Sequence, residues 1–245
     1  MKRPTRSSRI QGTSESPSSR SDLKKWLVRV LVGWVLLTVG PVVVFRFVDP
    51  PSTAFMFARR MEAAENNEKR FVLRQLWVPR ARISTHLQRA LIAAEDQKFF
   101  SHQGFDVKAI EDAVEDRLEG RSTRGASTLT QQVAKNLFLW SDKSFVRKAL
   151  EAYFTVLLEL FWSKERILEV HLNIAEYGDG VYGVEEACRL NFGRGAAAVS
   201  PQEAALLVVV LPSPRARTVI APSPKVRLRS QWVLEQMTHV SLTQR

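Results

Sequence analysis

"ALIAAEDQKFFSHQG", Ala90 to Gly104, is the stretch on which the fold turns. Within the longer "HLQRALIAAEDQKFF", Leu87, Leu91 and Ala94 recur at helical spacing, so the stretch opens as an amphipathic helix. Two adjacent acids, Glu95 and Asp96, then break the apolar stripe, and Phe99, Phe100, His102 and Gly104 follow. A carboxyl on the border of an apolar face, next to aromatics, is partly desolvated. Desolvation raises its pKa and makes it a better proton acceptor. A solvated helix end closing at Gly104 accounts for this stretch alone at least as well, and His102 alone reads as a structural, hydrogen-bonded histidine.

Downstream the pattern stays helical. "SFVRKALEAYFTVLLELFW" sets Val146, Leu150, Tyr153 and Leu157 on one face, with Arg147 and Glu151 one turn apart. "SKERILEVHLNIAEYG" opens on a Ser cap and is expected to end near Gly178; "SPQEAALLVVVLP" has Ser at the cap, Pro in the first turn and a terminating Pro. Strict alternation is absent, so few strands are expected and the fold class is mainly α. "DRLEGRSTRGASTLTQ" is polar with two glycines and reads as containing a mobile loop. There is no internal repeat, no metal-ligand spacing and no P-loop.

Upstream the character changes. Residues 1–25 are rich in Ser, Arg, Pro and Thr without apolar periodicity and read as a disordered basic tail. Residues 26–48, "WLVRVLVGWVLLTVGPVVVFRFV", are long enough to cross a hydrocarbon core of about 30 Å as a helix. Arg29 and Arg46 lie near its ends, where they can snorkel, and Pro41 is expected to kink its second half. A cleaved signal peptide would be shorter, and "FVDPPST" offers no cleavage site; a core helix of this length would show a polar face. Lys2, Arg3, Arg6, Arg9, Arg20, Lys24 and Lys25 outweigh Glu15 and Asp22 before the span. The positive-inside rule therefore puts the amino terminus in the cytoplasm and the remainder outside the inner membrane, with Arg59 and Arg60 as the contrary signal. Residues 49–82 read as a juxtamembrane linker in which Phe55, Met56 and Phe57 either pack on the domain or touch the membrane again; residues 83–245 form the main domain.

The chain has 245 residues, a formal net charge of +11 and 45% hydrophobic residues, enough for a real core. Such a basic excess calls for an anionic partner: nucleic acid, an anionic membrane surface or a phosphate-rich substrate. The single cysteine, Cys188, excludes an intrachain disulfide and reads as a buried, inert thiol.

Two further clusters carry chemistry. In "GASTLTQQVAKN", Gly125 to Asn136, Ser127, Thr128 and Thr130 can cap a helix whose free amides attract anions, and Gln132, Lys135 and Asn136 add donors. In "DKSFVRKALE", Lys143, Arg147 and Lys148 precede Glu151. Cations with amide donors suggest a phosphate or diphosphate site; each stretch alone also suits a solvated charged face with an Arg147–Glu151 pair.

Taken in order, "EDQKFFSHQG", "GASTLTQQVAKN", "RKALE" and "KERILEVHLN" closely resemble the signature of glycosyltransferase family 51, the peptidoglycan glycosyltransferases. The resemblance runs from "STAFM" to "LPSP". The single anchor and short chain look most like the monofunctional members, since the one SxxK match, "SDLK" at Ser21, lies in the tail and no KTG follows. The resemblance implies a lysozyme-like helical domain with two lobes and a cleft. The donor would be a glycan strand on a polyprenyl diphosphate and the acceptor lipid II. By motif, Glu95 would take the proton from the acceptor's sugar hydroxyl, with Asp96 in support. Lys135, Lys143 and Arg147 would face the donor diphosphate, while Ser127, Gln132 and Asn136 bind the donor. Glu151 would be the second acid of the cleft, orienting the cations. Two positions depart from the family pattern: His171 stands where "ILExYLN" has Tyr, and "NFGR", Asn191 to Arg194, stands for "YFGK". The family makes a divalent cation (Mg or Mn) at the diphosphate plausible without a ligand cluster to hold it, and leaves room for other wall-synthesis proteins as partners.

The chemistry agrees with the residues. A diphosphate leaves readily once its charge is neutralised, so preorganised cations replace a general acid and one base suffices. A glycosidase would need an acid and a base flanking the bond. A lysozyme-like hydrolase or lytic transglycosylase shares the fold and a catalytic Glu, but cleavage of a glycan needs no diphosphate site. A membrane-anchored nucleic-acid-binding scaffold would explain the charge and leave the carboxylates without purpose.

Overall fold

The structure is a computed structural model that describes residues 18–120, 125, 127–142 and 144–243. Helix α1, Ser18–Phe47, starts eight residues before the expected span, so the end of the tail is helical. Nothing between Ser18 and Pro41 breaks a helix, and the helix continues through Pro41 itself. Its portion Asp22–Phe47 is long and apolar enough to cross a membrane. The chain divides into two compact units, residues 1–41 and 42–245.

In the larger unit, α2 (Ala54–Glu65) and a two-residue strand β1 (Arg74–Gln75) arise from the segment read as a linker. Of the two readings of its apolar residues, packing on the domain describes Met56, which is fully buried, and Arg59 is 3% exposed. Arg59 donates to both oxygens of Asp179 (2.8 and 3.0 Å) and to Glu68, with its guanidinium 4.0 Å over the Phe71 ring. Asp179 lies far along the sequence, which is why residues 49–82 carry little periodicity of their own. Phe57 remains exposed.

Next come α3 (Thr85–Glu95), α4 (Val107–Leu118), α5 (Leu129–Phe138), α6 (Phe145–Phe161) and α7 (Lys164–Ile174). Strands β2 (Glu176–Gly178) and β3 (Val181–Tyr182) follow, then α8 (Val184–Phe192), α9 (Pro201–Val209) and α10 (Pro224–Gln236). Helix α7 ends at Ile174, four residues before the expected Gly178, because the chain turns there into β2. The small sheet has the order β1-β3-β2: β1 runs parallel to β3 (Arg74 opposite Val181), and β2 antiparallel to it (Glu176 opposite Tyr182).

Helix α3 packs on α9 and α10, while α5 packs on α6 and α7. The α6 face differs from the expected one. Val146 is exposed and Leu150, Tyr153 and Leu157 are half-buried; the buried stripe is Glu151, Phe154, Thr155 and Leu158. Apolar residues on nearly every side of α6 leave spacing alone unable to choose the face. The remaining loop expected to move falls largely on residues 121–124 and 126, outside those described.

Candidate active site

The site forms at the seam between the two helical groups. Helix α3 begins on a Ser84 cap and ends at Glu95, with Asp96 as its C-cap, so the two acids point into different surroundings. Glu95 is half-buried, and its Oε2 accepts a hydrogen bond from Gln132 Nε2 at 2.9 Å. Desolvation pushes the Glu95 pKa above the usual carboxylate range; Gln132, Arg229 and Arg217 pull it back, and Asp96 adds to the rise.

Asp96 is buried and serves α5 rather than Glu95. Its Oδ2 accepts from the Leu129 amide at 3.0 Å, and both oxygens lie 2.9–3.0 Å from His102 Nε2. His102 Nδ1 accepts from the Gly104 amide at 3.1 Å, so its proton is on Nε2, toward Asp96. The Gly104 carbonyl in turn accepts from Thr128 Oγ1 at 2.7 Å. Gly104 has φ +85, and a Cβ there would lie 2.7 Å from Thr155 Cγ2, so only glycine fits.

Thr128 caps α5 in a capping box with Gln131. The expectation of free amides at this helix start is corrected: Asp96 occupies the Leu129 amide and Thr128 Oγ1 the Gln131 amide. Thr130 donates to Glu159 at 2.5 Å, away from the cleft, while Ser127 is exposed at its wall. One cavity of about 1180 Å³ is lined by Glu95, Asp96, Ser127, Thr128 and Gln132, together with Arg217 and Arg229.

One turn beyond Gln132, Lys135 begins the cationic cluster. Its Nζ is 5.5 Å over the Phe55 ring. Burial pushes its pKa down; Glu151 and Glu95 act upward, Arg147 and Lys148 downward. Glu151, 3% exposed, accepts from Arg147 Nη1 and Lys148 Nζ, both at 2.5 Å. Arg147 Nε also donates to the Asp142 carbonyl, which fixes the guanidinium plane. Glu151 thus accepts from two of the cations. Asn136 is half-buried and makes no side-chain hydrogen bond among the described residues; Lys143 lies outside them.

Three residues were missed from sequence. Arg217 and Arg229 stand beside Glu95, and Arg229 Nη2 donates to the Ala94 carbonyl at 3.2 Å. Their only trace is the basic density of "RARTVIAPSPKVRLR", which resembles any solvated charged run. His171, noted only as a departure, is buried behind Gln132, with Nε2 3.0 Å from Gln132 Oε1. Among the described residues no three His, Cys, Asp or Glu side chains are grouped to hold a metal ion.

Residues 63–238, which contain the whole of this site, match the Transglycosylase family. The chain belongs to that family. It is 50% identical over 220 residues to the biosynthetic peptidoglycan transglycosylase of Pseudomonas putida KT2440, covering 90% of this chain and 93% of that protein. It is 48% identical over 214 residues to the protein of that name from Xylella fastidiosa M12, covering 86% and 88%. The like-named protein of Ectopseudomonas mendocina is 48% identical over 218 residues, covering 89% and 90%. Within this transglycosylase, Gln132 of α5 bonds Glu95, whose pKa is raised, and Lys135, whose pKa is lowered, follows one turn along the same helix.

Proposed function

We propose that this transglycosylase polymerises peptidoglycan glycan strands. The growing strand, linked to a polyprenyl diphosphate, is the donor, and lipid II is the acceptor. The observation that carries the roles is the raised Glu95 carboxyl in the cleft, with the Lys135–Arg147–Glu151 cluster beyond Gln132. Glu95 takes the proton from the acceptor's sugar hydroxyl as its oxygen attacks the anomeric carbon. The bond from that carbon to the diphosphate oxygen breaks, its electron pair stays with the polyprenyl diphosphate, and the configuration inverts.

Lys135 and Arg147 compensate the charge that grows on the leaving group, with Lys143 as a third cation and Ser127 and Asn136 as donors to the glycan. A lysine held low by burial and by neighbouring cations is one that an arriving anion restores. A divalent ion at the diphosphate would neutralise charge there; among the described residues no three His, Cys, Asp or Glu side chains are grouped to hold it. Helix α1 serves as the anchor that keeps a lipid-linked substrate and the cleft at one bilayer surface. The charge bias before it supports a cytoplasmic amino terminus and an extracytoplasmic domain.

Purified enzyme incubated with labelled lipid II should yield a glycan ladder, and Glu95→Gln should slow it by at least about 10²-fold, the lower end for loss of a general base. A ladder formed by Glu95→Gln at the wild-type rate rules out Glu95 as the base.

A further inference from the structure

Behind the cleft wall, three side chains from three elements form one file. Gln132 on α5 donates from Nε2 to Glu95 Oε2 at 2.9 Å, and its Oε1 lies 3.0 Å from Nε2 of His171 on α7. The direction of these bonds follows from the outermost member. An ionised carboxylate accepts only, so Gln132 must turn its amide nitrogen to Glu95 and its oxygen to His171. An amide oxygen also accepts only, so His171 must carry its proton on Nε2. The imidazole is 1% exposed, and burial with nearby Lys135 drops its pKa to about 3, so it stays neutral throughout the working range. A neutral imidazole with its proton on Nε2 presents one donor, and that donor faces Gln132.

We infer that His171 is a positioning residue for the transfer reaction, acting on Glu95 through Gln132 by holding the Gln132 amide in place against the carboxylate. This rests on the assignment of Glu95 as the base. The carboxylate already sets which end of the Gln132 amide it meets. Without a donor at position 171, Oε1 of Gln132 loses its partner and Nε2 is no longer held on Glu95. The assignment also recasts Gln132, read from sequence as a donor-binding residue, as the link between the base and the helix behind it. It gives a purpose to one departure from the family pattern, since the hydroxyl of a tyrosine is also a donor.

The groups facing Glu95 are Asp96, Gln132 and Lys135, Tyr177 from β2, Arg217 after α9 and Arg229 on α10. Lys135, Arg217 and Arg229 favour the ionised form, and Asp96 opposes it. These four charges stay as they are when residue 171 changes, so a shift in the acid limb of the pH–rate profile isolates the Gln132 bond. That bond stabilises the carboxylate; its loss moves the Glu95 pKa further up and the acid limb to higher pH.

The test uses two side chains of similar length on the full-length protein. Gln at 171 keeps an N–H donor near the Nε2 position, and Met removes it. His171→Met should lower the turnover of lipid II about tenfold, as expected for a lost hydrogen bond to a charged group's partner. KM should stay within about twofold, since the reacting sugars keep their contacts, and the acid limb should move up. His171→Gln should restore both turnover and limb. In a Gln132→Met background, His171→Met should add nothing, because the effect travels through the amide. Thermal melts of each variant separate a loss of fold from a loss of rate. Independent, multiplying effects of the two Met substitutions overturn the inference, as does a His171→Met enzyme with wild-type turnover and limb. An active Glu95→Gln would instead sink the base assignment, and with it the premise.

Discussion

At the scale of single residues, Glu95 carries a conflict between stability and reaction. Its pKa is raised in the folded protein, chiefly by desolvation. A group whose folded pKa lies above its unfolded value stabilises most when protonated, below the unfolded pKa, and that contribution is lost as pH rises through the folded pKa. At neutral pH the ionised Glu95 therefore costs stability. Gln at this position resembles the protonated acid, so Glu95→Gln should melt above the wild type at pH 7. The gap should close as pH falls below the ordinary glutamate value. For a chain of this size each kcal/mol corresponds to roughly 2–4 °C in Tm. Equal melting temperatures at pH 7 would mean that Glu95 is not desolvated. The apolar stripe alone could not tell Glu95 from a solvated helix end; the order of the motifs around it singled it out. Arg217, Arg229 and His171 were not legible, because nothing near them in the chain records which surface they face.

At the scale of elements, the segment from Glu95 to Gly104 is a joint between the two helical groups. Asp96 reaches the first amide of α5, His102 braces Asp96, and Gly104 receives the Thr128 cap. Gly104→Ala should destabilise by about 1–3 kcal/mol from the left-handed backbone alone, with the clash against Thr155 adding to it. Differential scanning calorimetry reads the loss, and an unchanged Tm would show that the loop relaxes without strain. Polymerisation should fall with it, because α5 carries Gln132 and Lys135. Helix caps such as Thr128 and Ser200 could be read ahead of the structure, since a capping box lies within four residues. The buried face of α6 could not, because hydrophobicity there surrounds the helix. The order of Asp96's loyalties was also hidden: adjacency to Glu95 suggested support for the base, whereas its hydrogen bonds run to the next helix.

At the scale of the whole molecule, the helical class and the apolar α1 followed from periodicity and composition, which are summed properties and tolerate local error. The tie between Arg59 and Asp179 did not, because its partners lie more than a hundred residues apart in the chain. The charge bias before α1 carries its own test. Protease added to spheroplasts should digest the domain and spare a labelled amino terminus, and a protected domain would reverse the orientation. Across this entire chain there is one thiol, Cys188, and it is fully buried with its pKa pushed up to about 12 by burial and by Glu185 and Glu203. A thiolate, not a thiol, attacks maleimides and iodoacetamides. The folded protein is thus chemically silent to such reagents, and a cysteine placed at an exposed cleft position such as Ser127 becomes its sole reactive handle. A fluorophore attached there would report on the mouth of the cleft without the native cysteine having to be removed first.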